Sequence, residues 1–389
     1  MSHLDTLAVH AGYTPDATGA VMPPIYPSST YAQRAPGEHS GYEYARSGNP
    51  TRGAFEKALA ELEGGAAGFA FASGLAAMST VLELLDAGSE VVAVDDLYGG
   101  AWRLFERVRN RTAQLKVTYA AADDTHAIVN AITPATRLVW VEIPTNPLLK
   151  VVDLRATIDA AHKVGALVVV DATFATPYLL QPLQYGADIV LHSVTKYLNG
   201  HSDVIGGALI VRTPELAERV GYLQNAVGGI LDPFSSFLAL RGLKTLPLRM
   251  QRHSSNTQAL AEWLEAHDDV DSVIFPGLAS HPQAALARKQ FPNGFSGIVS
   301  VRLKADEAGV RRFLAALKVF TLAESLGGVE SLVNLPWAMT HASIPEADRL
   351  RRGIGPNLLR LSVGVEHIDD LKRDLEGGFA ALAAGASHA

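Results

Sequence analysis

Two hydrophobic patterns alternate through the middle of this 389-residue chain. From about residue 50 to residue 245, short apolar runs such as EVVAVDD, ALVVVDA and ADIVLHS are separated by segments with helical spacing, such as FEKALAELEG and LRATIDAAHKV. Continuous apolar runs are typical of strands buried on both faces, and helices between them predict a mostly parallel sheet covered on both sides. Ligands of such sheets bind at the carboxyl ends of the strands.

The pattern changes on both sides of this region. Residues 1–45 contain MPPIYPSSTYAQRAPGEHSGY, where Pro, Ser and Gly are too frequent for regular structure, so we predict an extended arm. After residue 245, long helical segments lie between the strand candidates SVIFPG, GIVSVRLK and LLRLSVGVE. Since single cores rarely grow beyond about 300 residues, we predict an N-terminal arm at 1–45, a large domain at 46–245 and a smaller C-terminal α+β domain at 246–389.

One uncharged stretch approaches the length of a membrane span. Residues 64–82, GGAAGFAFASGLAAMSTVL, are dominated by Gly and Ala, and Glu63, Glu83 and Asp86 flank them. We interpret the stretch as a buried strand, a Ser-Gly turn and a helix rather than a membrane span.

Composition narrows the class of function. Net charge is -7 and 19% of residues are charged, which gives no electrostatic footprint for nucleic acid and favours a small-molecule partner. The chain has no cysteine, which excludes disulfides, thiolate metal sites and a cysteine nucleophile, and its thirteen histidines show no metal-ligand spacing. The N-terminal residues lack a basic segment followed by an apolar one, so we expect a cytoplasmic enzyme without a metal and without a membrane partner.

Two charged residues follow apolar strands in the predicted sheet. Asp171 closes ALVVVD, and Lys196 in SVTKYLNGHSD follows ADIVLH, so both lie at the carboxyl edge. A buried cation is costly, and a lysine that loses its proton can form a Schiff base. An acid and a lysine so placed match the needs of pyridoxal phosphate, although these two residues alone fit a rim ion pair equally well.

Further residues offer contacts for such a cofactor. The Ser-Gly turn in FASGLAAMS opens a helix whose free N–H groups suit a phosphate, and Ser193 and Thr195 add hydroxyls. Tyr44 and Arg46 lie in GYEYARSGNPTR, and Tyr98 in VDDLYGG follows another strand end. Taken singly, each of these has an ordinary explanation as a packing, turn or solvated residue.

Together these stretches resemble the cysteine and methionine metabolism family of pyridoxal phosphate enzymes, also called the transsulfuration family. The resemblance covers nearly the whole chain; its matching stretches are PPIYPSSTYA, YARSGNPTR, FASGLAA, DDLYGG, PTNPLLKV, HSVTKYLNGHSD, TLAESLGGVESL and LLRLSVGVE. It implies the fold type I of pyridoxal phosphate-dependent transferases, which is aspartate-aminotransferase-like, with a large α/β domain and a smaller C-terminal α+β domain. It also implies pyridoxal 5'-phosphate as the cofactor.

The resemblance assigns roles to residues at matching positions. Lys196 would be the Schiff-base lysine and general base, Asp171 the partner of the pyridine nitrogen, and Tyr98 the stacking ring and an aid to proton transfer. The positions implied for the phosphate are Gly74, Leu75, Ser193 and Thr195, with Tyr44 and Arg46 reaching it from a neighbouring subunit. The family is usually tetrameric, so we expect a tetramer built of dimers that share active sites.

The resemblance also places the substrate. Arg360 in LLRLSVGVE would bind the α-carboxylate of an amino acid in a bidentate pair, helped by Asn146 and Ser325. The chain departs from the family at one position, because Ala172 stands where Asp is usually followed by Asn. Since Asp171 and Thr173 are retained, we expect the cofactor to bind.

Two further positions favour a reaction of cystathionine. Arg103 and Glu324 match residues that line the distal pocket of cystathionine-handling members of the family, and Gly100 stands where methionine γ-lyases typically have cysteine. AITPATRLVWVEIPTNP and YLQNAVGGILDPF look more like γ-lyases than γ-synthases. We therefore predict a cystathionine γ-lyase that also releases hydrogen sulfide from cysteine or homocysteine. The alternative is cystathionine γ-synthase, which joins an O-acyl-homoserine to cysteine, and methionine γ-lyase is the least favoured.

Two hypotheses from other classes of protein, a serine β-lactamase and a non-catalytic scaffold, have weaker support. SVTK satisfies the Ser-x-x-Lys motif of serine β-lactamases, but that motif should begin a helix and be joined by Lys-Thr-Gly, whereas the chain has only KTL at 244–246. A catalytically silent scaffold would explain Ala172, but not the retention of Lys196, Asp171 and Arg360.

Overall fold

The computed structural model of the chain describes residues 3–342 and 345–386. A seven-stranded sheet has the spatial order β1-β7-β6-β5-β4-β2-β3, in which β6, β5, β4, β2 and β3 are parallel and β7 is antiparallel to both of its neighbours. Its strands are β1 (Ala67–Phe71), β2 (Glu90–Val94), β3 (Lys116–Ala120), β4 (Thr136–Glu142), β5 (Leu167–Asp171), β6 (Ile189–Ser193) and β7 (Gly207–Val211).

Helices precede and connect these strands. They are α1 (Leu4–His10), α2 (Pro50–Glu63), α3 (Gly74–Leu82), α4 (Gly99–Arg103), α5 (Asn110–Ala113), α6 (Thr125–Ala131), α7 (Leu154–Lys163), α8 (Thr176–Leu179), α9 (Pro182–Tyr185), α10 (Pro214–Val227) and α11 (Pro233–Leu243), with a π-helical segment at Leu104–Arg109 between α4 and α5.

A second sheet of five strands has the order β10-β11-β12-β9-β8 and is antiparallel except for the pair β10 and β11. Its strands are β8 (Val270–Ile274), β9 (Ile298–Leu303), β10 (Thr321–Leu322), β11 (Leu332–Asn334) and β12 (Leu358–Ser362). The accompanying helices are α12 (Leu246–Glu265), α13 (Ala284–Gln290), α14 (Glu307–Ala316), α15 (Glu346–Arg351) and α16 (Ile368–Ala386).

This architecture confirms the predicted fold class. The apolar runs form buried strands, and the uncharged stretch at 64–82 forms β1, the turn at Ser73 and α3. Among the described residues, no helix is both long and apolar enough to cross a bilayer.

The prediction of an arm without regular structure is wrong at its beginning. Residues Leu4–His10 form α1, because Leu4 and Leu7 pack against the main hydrophobic core while Asp5 sits favourably in the first turn. The seven residues carry no Pro or Gly, which instead are concentrated after residue 11.

Two hydrophobic clusters fill the molecule, one around each sheet. The first includes Trp140 and most of the seven-stranded sheet, but it also takes in Leu246 and Met250 from α12. The second includes Phe313 and Phe379, which pack with ring centroids 5.1 Å apart. Helix α12 begins one residue after the predicted end of the large domain, but its first turns belong to the first cluster, and the division at 245/246 stays a prediction.

The turn between β1 and α3 is held at the carboxyl end of β6. The Ser73 hydroxyl accepts a hydrogen bond from the Ala76 N–H at 3.0 Å, which caps α3. Gly207 pairs with Ser193 across the sheet, and a Cβ atom on Gly207 would lie 2.2 Å from the Ser73 carbonyl oxygen. Glycine is therefore required for the turn to approach so closely.

Candidate active site

A cavity of about 380 Å³ opens where β4, β5 and β6 end and faces the second sheet. All the predicted site residues except Tyr44 and Arg46 line it. They are Gly74, Leu75, Tyr98, Arg103, Asn146, Asp171, Ser193, Thr195, Lys196, Glu324, Ser325 and Arg360. The structure thus brings together residues that lie up to 286 positions apart, from Gly74 to Arg360, where parallel strand ends meet.

Lys196 presents a buried amine to the cavity. Its Nζ atom donates a hydrogen bond to Ser325 Oγ at 2.8 Å. Burial, helped by the positive charge of Arg360 and opposed by the negative charge of Glu324, lowers the pKa of the amine from 10.5 to about 8. A lysine in such surroundings loses its proton far more easily than one in water, as a Schiff-base lysine requires.

A second buried cation, Arg249, donates hydrogen bonds to the turn that carries Lys196. Arg249 donates to the backbone carbonyls of Tyr197 at 2.7 Å and of Gly242 at 2.9 Å. Gly200 has a φ of 75°, and a Cβ atom there would lie 2.1 Å from the Arg249 guanidinium. The guanidinium thus joins a carbonyl of the turn to a carbonyl near the end of α11, which fixes the position of the lysine.

Asp171 ends β5 as a buried carboxyl. Its Oδ1 atom accepts hydrogen bonds from the Thr173 backbone N–H at 3.0 Å and the Thr173 hydroxyl at 2.5 Å. The same hydroxyl accepts a hydrogen bond from Ser193 N–H at 2.9 Å, which ties the ends of β5 and β6 together. Burial raises the pKa of Asp171, while the hydrogen bonds from Thr173 and the nearby His192 act in the opposite direction.

Arg360 reaches the cavity from β12. Its guanidinium donates to Asn146 Oδ1 at 2.9 Å and to the Ser325 carbonyl oxygen at 2.9 Å, while its Nε atom has no hydrogen-bond partner among the described residues. The side chain is buried, and in the described part of the chain no carboxylate lies within 4 Å of it. Burial lowers its pKa to about 10. A buried, oriented guanidinium without a carboxylate partner suits an anionic ligand.

Hydroxyls and a helix N-terminus lie together at one end of the cavity. Gly74 and Leu75 begin α3, and a Cβ atom on Gly74 would lie 3.4 Å from Ser193 Cβ. The Thr195 hydroxyl accepts from the Gly206 N–H at 3.1 Å. This group of N–H and O–H donors suits a phosphate.

Two of the predicted site residues lie elsewhere. Tyr44 and Arg46 are exposed, with the Arg46 guanidinium carbon 5.5 Å from the centroid of the Tyr44 ring. They do not line the cavity of their own chain. That they reach the cavity of a neighbouring subunit stays a prediction.

Ala172, the departure from the family pattern, lies outside the cavity. The side chain is fully buried in the first hydrophobic cluster, and its backbone N–H donates to the Leu191 carbonyl at 3.0 Å. The missing asparagine therefore changes the core behind β5 rather than the surface that faces the cavity.

The sequence prediction missed several residues that line the cavity, notably Glu142, Thr340 and Met339. Glu142 is buried at the end of β4, and its Oε2 atom accepts a hydrogen bond from the Tyr98 N–H at 2.8 Å. The signal that indicated Asp171, an acid directly after an apolar strand, was present for Glu142 in RLVWVE. Thr340 and Met339 lie in a loop without such a signal.

The SVTK segment does not have the setting of a β-lactamase motif. Ser193 ends β6, and residues 194–199 form turns rather than the start of a helix. The sequence expectation that this motif follows a strand is confirmed.

A model of Cys/Met metabolism PLP-dependent enzymes matches residues 5–380. The chain belongs to this family. The predicted family is thus confirmed, and so is pyridoxal phosphate as the cofactor.

Relatives within the family have different names. The chain is 54% identical over 377 residues to cystathionine β-lyase of Coxiella burnetii, covering 96% of this chain and 97% of the relative. It is 49% identical over 374 residues to cystathionine γ-lyase of Dictyostelium discoideum, covering 96% of each. A crystal structure of cystathionine γ-synthase from Xanthomonas oryzae pv. oryzae in complex with cystathionine matches with a TM-score of 0.96 at 47% identity, covering 99% of each chain. The chain is therefore a PLP-dependent enzyme of the cystathionine lyase and synthase group.

The cavity residues fit this cofactor. An amine with a lowered pKa, a carboxyl at a strand end and a cluster of phosphate donors match its aldehyde, its ring nitrogen and its phosphate. The orphaned Nε atom of Arg360 leaves a donor for a substrate carboxylate.

Proposed function

We propose that the protein is a cystathionine γ-lyase. It converts L-cystathionine and water to cysteine, 2-oxobutyrate and ammonia. The observation that carries this proposal is that one cavity is lined by a buried arginine and by two exposed charged side chains. Arg360 is buried, whereas Arg103 and Glu324 are exposed. Cystathionine has an amino-acid head at each end, so Arg360 can bind one head while Arg103 and Glu324 bind the other.

Each residue of the cavity has a separate role in the proposed reaction. Lys196 holds the cofactor and moves the Cα proton, since its lowered pKa leaves a substantial neutral fraction near pH 8. When bound, pyridoxal phosphate supplies a ring that withdraws electrons from the bonds at the substrate Cα. With the cofactor bound, Asp171 would keep the ring nitrogen protonated, and Tyr98 would stack on the ring and assist proton transfer. Gly74, Leu75, Ser193 and Thr195 would hold the phosphate, with Tyr44 and Arg46 of a neighbouring subunit.

Arg360, Asn146 and Ser325 orient the substrate. Arg360 pairs with the α-carboxylate, and it is held in place by Asn146 Oδ1 and the Ser325 carbonyl. The Ser325 hydroxyl meanwhile positions the Lys196 amine. One residue thus links the carboxylate-binding group to the proton-transfer group, which fixes the substrate Cα relative to the base.

Two related activities have specific support. The relative with 54% identity is named a β-lyase. β-Elimination would convert cystathionine and water to homocysteine, pyruvate and ammonia. The matched crystal structure is named a γ-synthase. We favour γ-elimination because the stretches around β4 and α10 resemble those of γ-lyases. Release of hydrogen sulfide from cysteine or homocysteine is a further expected activity.

The deciding experiment is to incubate the PLP-loaded protein with L-cystathionine alone and to identify the products by mass spectrometry. Cysteine with 2-oxobutyrate supports the γ-lyase, whereas homocysteine with pyruvate means that the β-lyase is correct. If cystathionine remains intact, an O-acyl-homoserine and cysteine are tested next, and formation of cystathionine identifies a γ-synthase.

We also propose that the active unit is a dimer within a tetramer and that it works in the cytoplasm. The exposed Tyr44 and Arg46 support the first proposal, because both would be left without a role in an isolated chain. Equilibrium sedimentation tests the assembly directly.

A further inference from the structure

Three buried carboxyls lie in a row at the carboxyl edge of the large sheet. Asp96 follows β2, Glu142 ends β4 and Asp171 ends β5, and each side chain is 4–5% exposed. Since β4 lies between β2 and β5, Glu142 is the central member of the row. Glu142 and Asp171 are register partners across the two strands, and both line the cavity.

The central carboxyl has no cation to pair with. No lysine, arginine or histidine of the described residues lies within 4 Å of the Glu142 carboxylate. The charged groups that act on it from the neighbouring elements are Asp171, Asp96 and, at longer range, Arg360 of β12. Arg360 is already bound to Asn146 and Ser325 and is needed by the substrate. Two adjacent buried carboxyls cannot both ionise cheaply, so one of them keeps a proton.

Asp171 and Glu142 differ in the groups that surround their carboxyls. Asp171 accepts both a backbone and a hydroxyl donor of Thr173 on one oxygen, and His192 adds a favourable field. Glu142 accepts the Tyr98 N–H. Burial raises the pKa of Glu142 well above its usual range, and the negative charges of Asp171 and Asp96 raise it further against the N–H groups of Tyr98 and Asn146. Each carboxyl therefore has two donors, but Glu142 lies between two other carboxyls, whereas Asp171 lies near His192, so the ionised form is favoured at Asp171.

We propose that Glu142 is a neutral positioning residue: it keeps the proton that the pair shares, so that Asp171 stays ionised toward the cofactor ring. This inference rests on the proposed role of Asp171. The neutral carboxyl also serves as the acceptor that fixes the backbone of Tyr98, the residue that precedes α4 and carries the stacking ring. A charge at Glu142 would compete with Asp171 for the positive ring nitrogen.

The test compares Glu142→Gln, which is neutral and retains a carbonyl acceptor, with Glu142→Ala, which removes the acceptor. Glu90→Gln is the matched control, because Glu90 starts β2 at the opposite edge of the sheet with a 43% exposed side chain. Three quantities are measured: the dissociation constant of pyridoxal phosphate, the pH titration of the holoenzyme absorbance, and the infrared band of a protonated carboxylic acid at pH 8. None of these depends on which sulfur substrate the enzyme uses.

For Glu142→Gln, we expect cofactor affinity within about threefold of wild type, an unchanged absorbance titration and loss of the protonated-acid band. For Glu142→Ala, we expect about tenfold weaker cofactor binding, because the Tyr98 N–H loses its partner. Glu90→Gln should change none of the three.

The proposal is overturned if Glu142→Gln leaves the protonated-acid band in place, or if it shifts the absorbance titration and weakens cofactor binding as much as Glu142→Ala does. Glu142→Gln keeps the test valid even if the alanine variant fails to fold. Asp171→Asn tests the role of Asp171 separately from the neutral state of Glu142. If this variant leaves cofactor binding and absorbance unchanged, the role proposed for Asp171 is wrong. The infrared band still reports on whether Glu142 is protonated.

Discussion

The amine of Lys196 donates a hydrogen bond to the hydroxyl of Ser325, with 2.8 Å between Nζ and Oγ. Lys196 follows β6 of the seven-stranded sheet, whereas Ser325 lies between β10 and β11 of the five-stranded sheet. The two residues are 129 positions apart in the chain. The Ser325 backbone has a φ of 89°, in the left-handed region, and this conformation accompanies a carbonyl that accepts from Arg360 and a hydroxyl that accepts from Lys196. Such a conformation costs free energy in a non-glycine residue and often occurs at functional sites.

The first prediction concerns the stability of the apoprotein. The pKa of Lys196 is lowered from 10.5 to about 8 in the folded state, so below pH 8 the native protein contains a costly buried cation. Lys196→Met should therefore be more stable than wild type at pH 7, by up to about 3 kcal/mol. As the pH rises from 8 to 10.5, native Lys196 loses its proton before the unfolded chain does, wild type gains stability, and the difference should shrink. Urea unfolding at pH 7 and pH 10 measures the difference in free energy of unfolding between Lys196→Met and wild type. The control is Lys116→Met, which replaces an exposed lysine. A difference that does not change with pH would contradict the prediction.

The second prediction concerns the carboxylate-binding group. Arg360→Lys should raise KM about 10- to 100-fold, because an ammonium cannot hold Asn146 and Ser325 in the same fork and still pair with both carboxylate oxygens. Steady-state kinetics give KM and kcat separately. The control is Arg302→Lys on the neighbouring strand β9, which does not line the cavity. An unchanged KM would mean that the carboxylate binds elsewhere.

The third prediction concerns Arg103, an exposed charged residue that lines the cavity. Arg103→Ala should raise KM for cystathionine about tenfold and KM for homocysteine, which has a single amino-acid head, less than about twofold. Arg107→Ala, which removes an arginine that lies over the Trp102 ring one turn further on, is the control. Equal effects of Arg103→Ala on both substrates would show that Arg103 does not contact the second head.

The fourth prediction concerns the packing of the stacking ring. A Cβ atom on Gly100 would lie 2.3 Å from Tyr98 Cε1, so Gly100→Ala should displace the ring and lower kcat/KM about tenfold. Gly377 in α16 has open space around its Cα, and Gly377→Ala should instead stabilise the protein by about 1 kcal/mol without changing kinetics. Kinetics of Gly100→Ala equal to wild type would show that Tyr98 can turn aside at no cost.

The fifth prediction concerns sharing of the site between subunits. Lys196→Ala and Arg46→Ala should each lose most activity, and a mixture of the two, unfolded and refolded together, should regain about a quarter of wild-type activity. Random pairing makes half of the dimers mixed, and each mixed dimer has one intact site. Activity of the mixture no greater than that of the separate variants would mean that each site is built from one chain.

Some of the active site could be predicted from local sequence, and some could not. Asp171 and Lys196 directly follow apolar strands, and parallel strands bring their ends to one edge, so their proximity follows from the pattern alone. Helix α1 was missed because its support comes from Leu4 and Leu7 packing on the core, a tertiary contact that no seven-residue pattern reveals. Arg360 was placed only by its family resemblance, since an arginine within a strand gives no sign of which way it points.

The sequence by itself determined the strands, the edge at which they end, the family and the cofactor, because these depend on short-range patterns of apolar and polar residues and on ordered motifs. Only the tertiary structure decided that Glu142 is the register partner of Asp171, that Ser325 links Lys196 to Arg360, and that Ala172 faces the core. These relationships join residues that are far apart in the chain, and they determine burial and charge at the site. The chemistry of each group depends on those neighbours more than on its own identity.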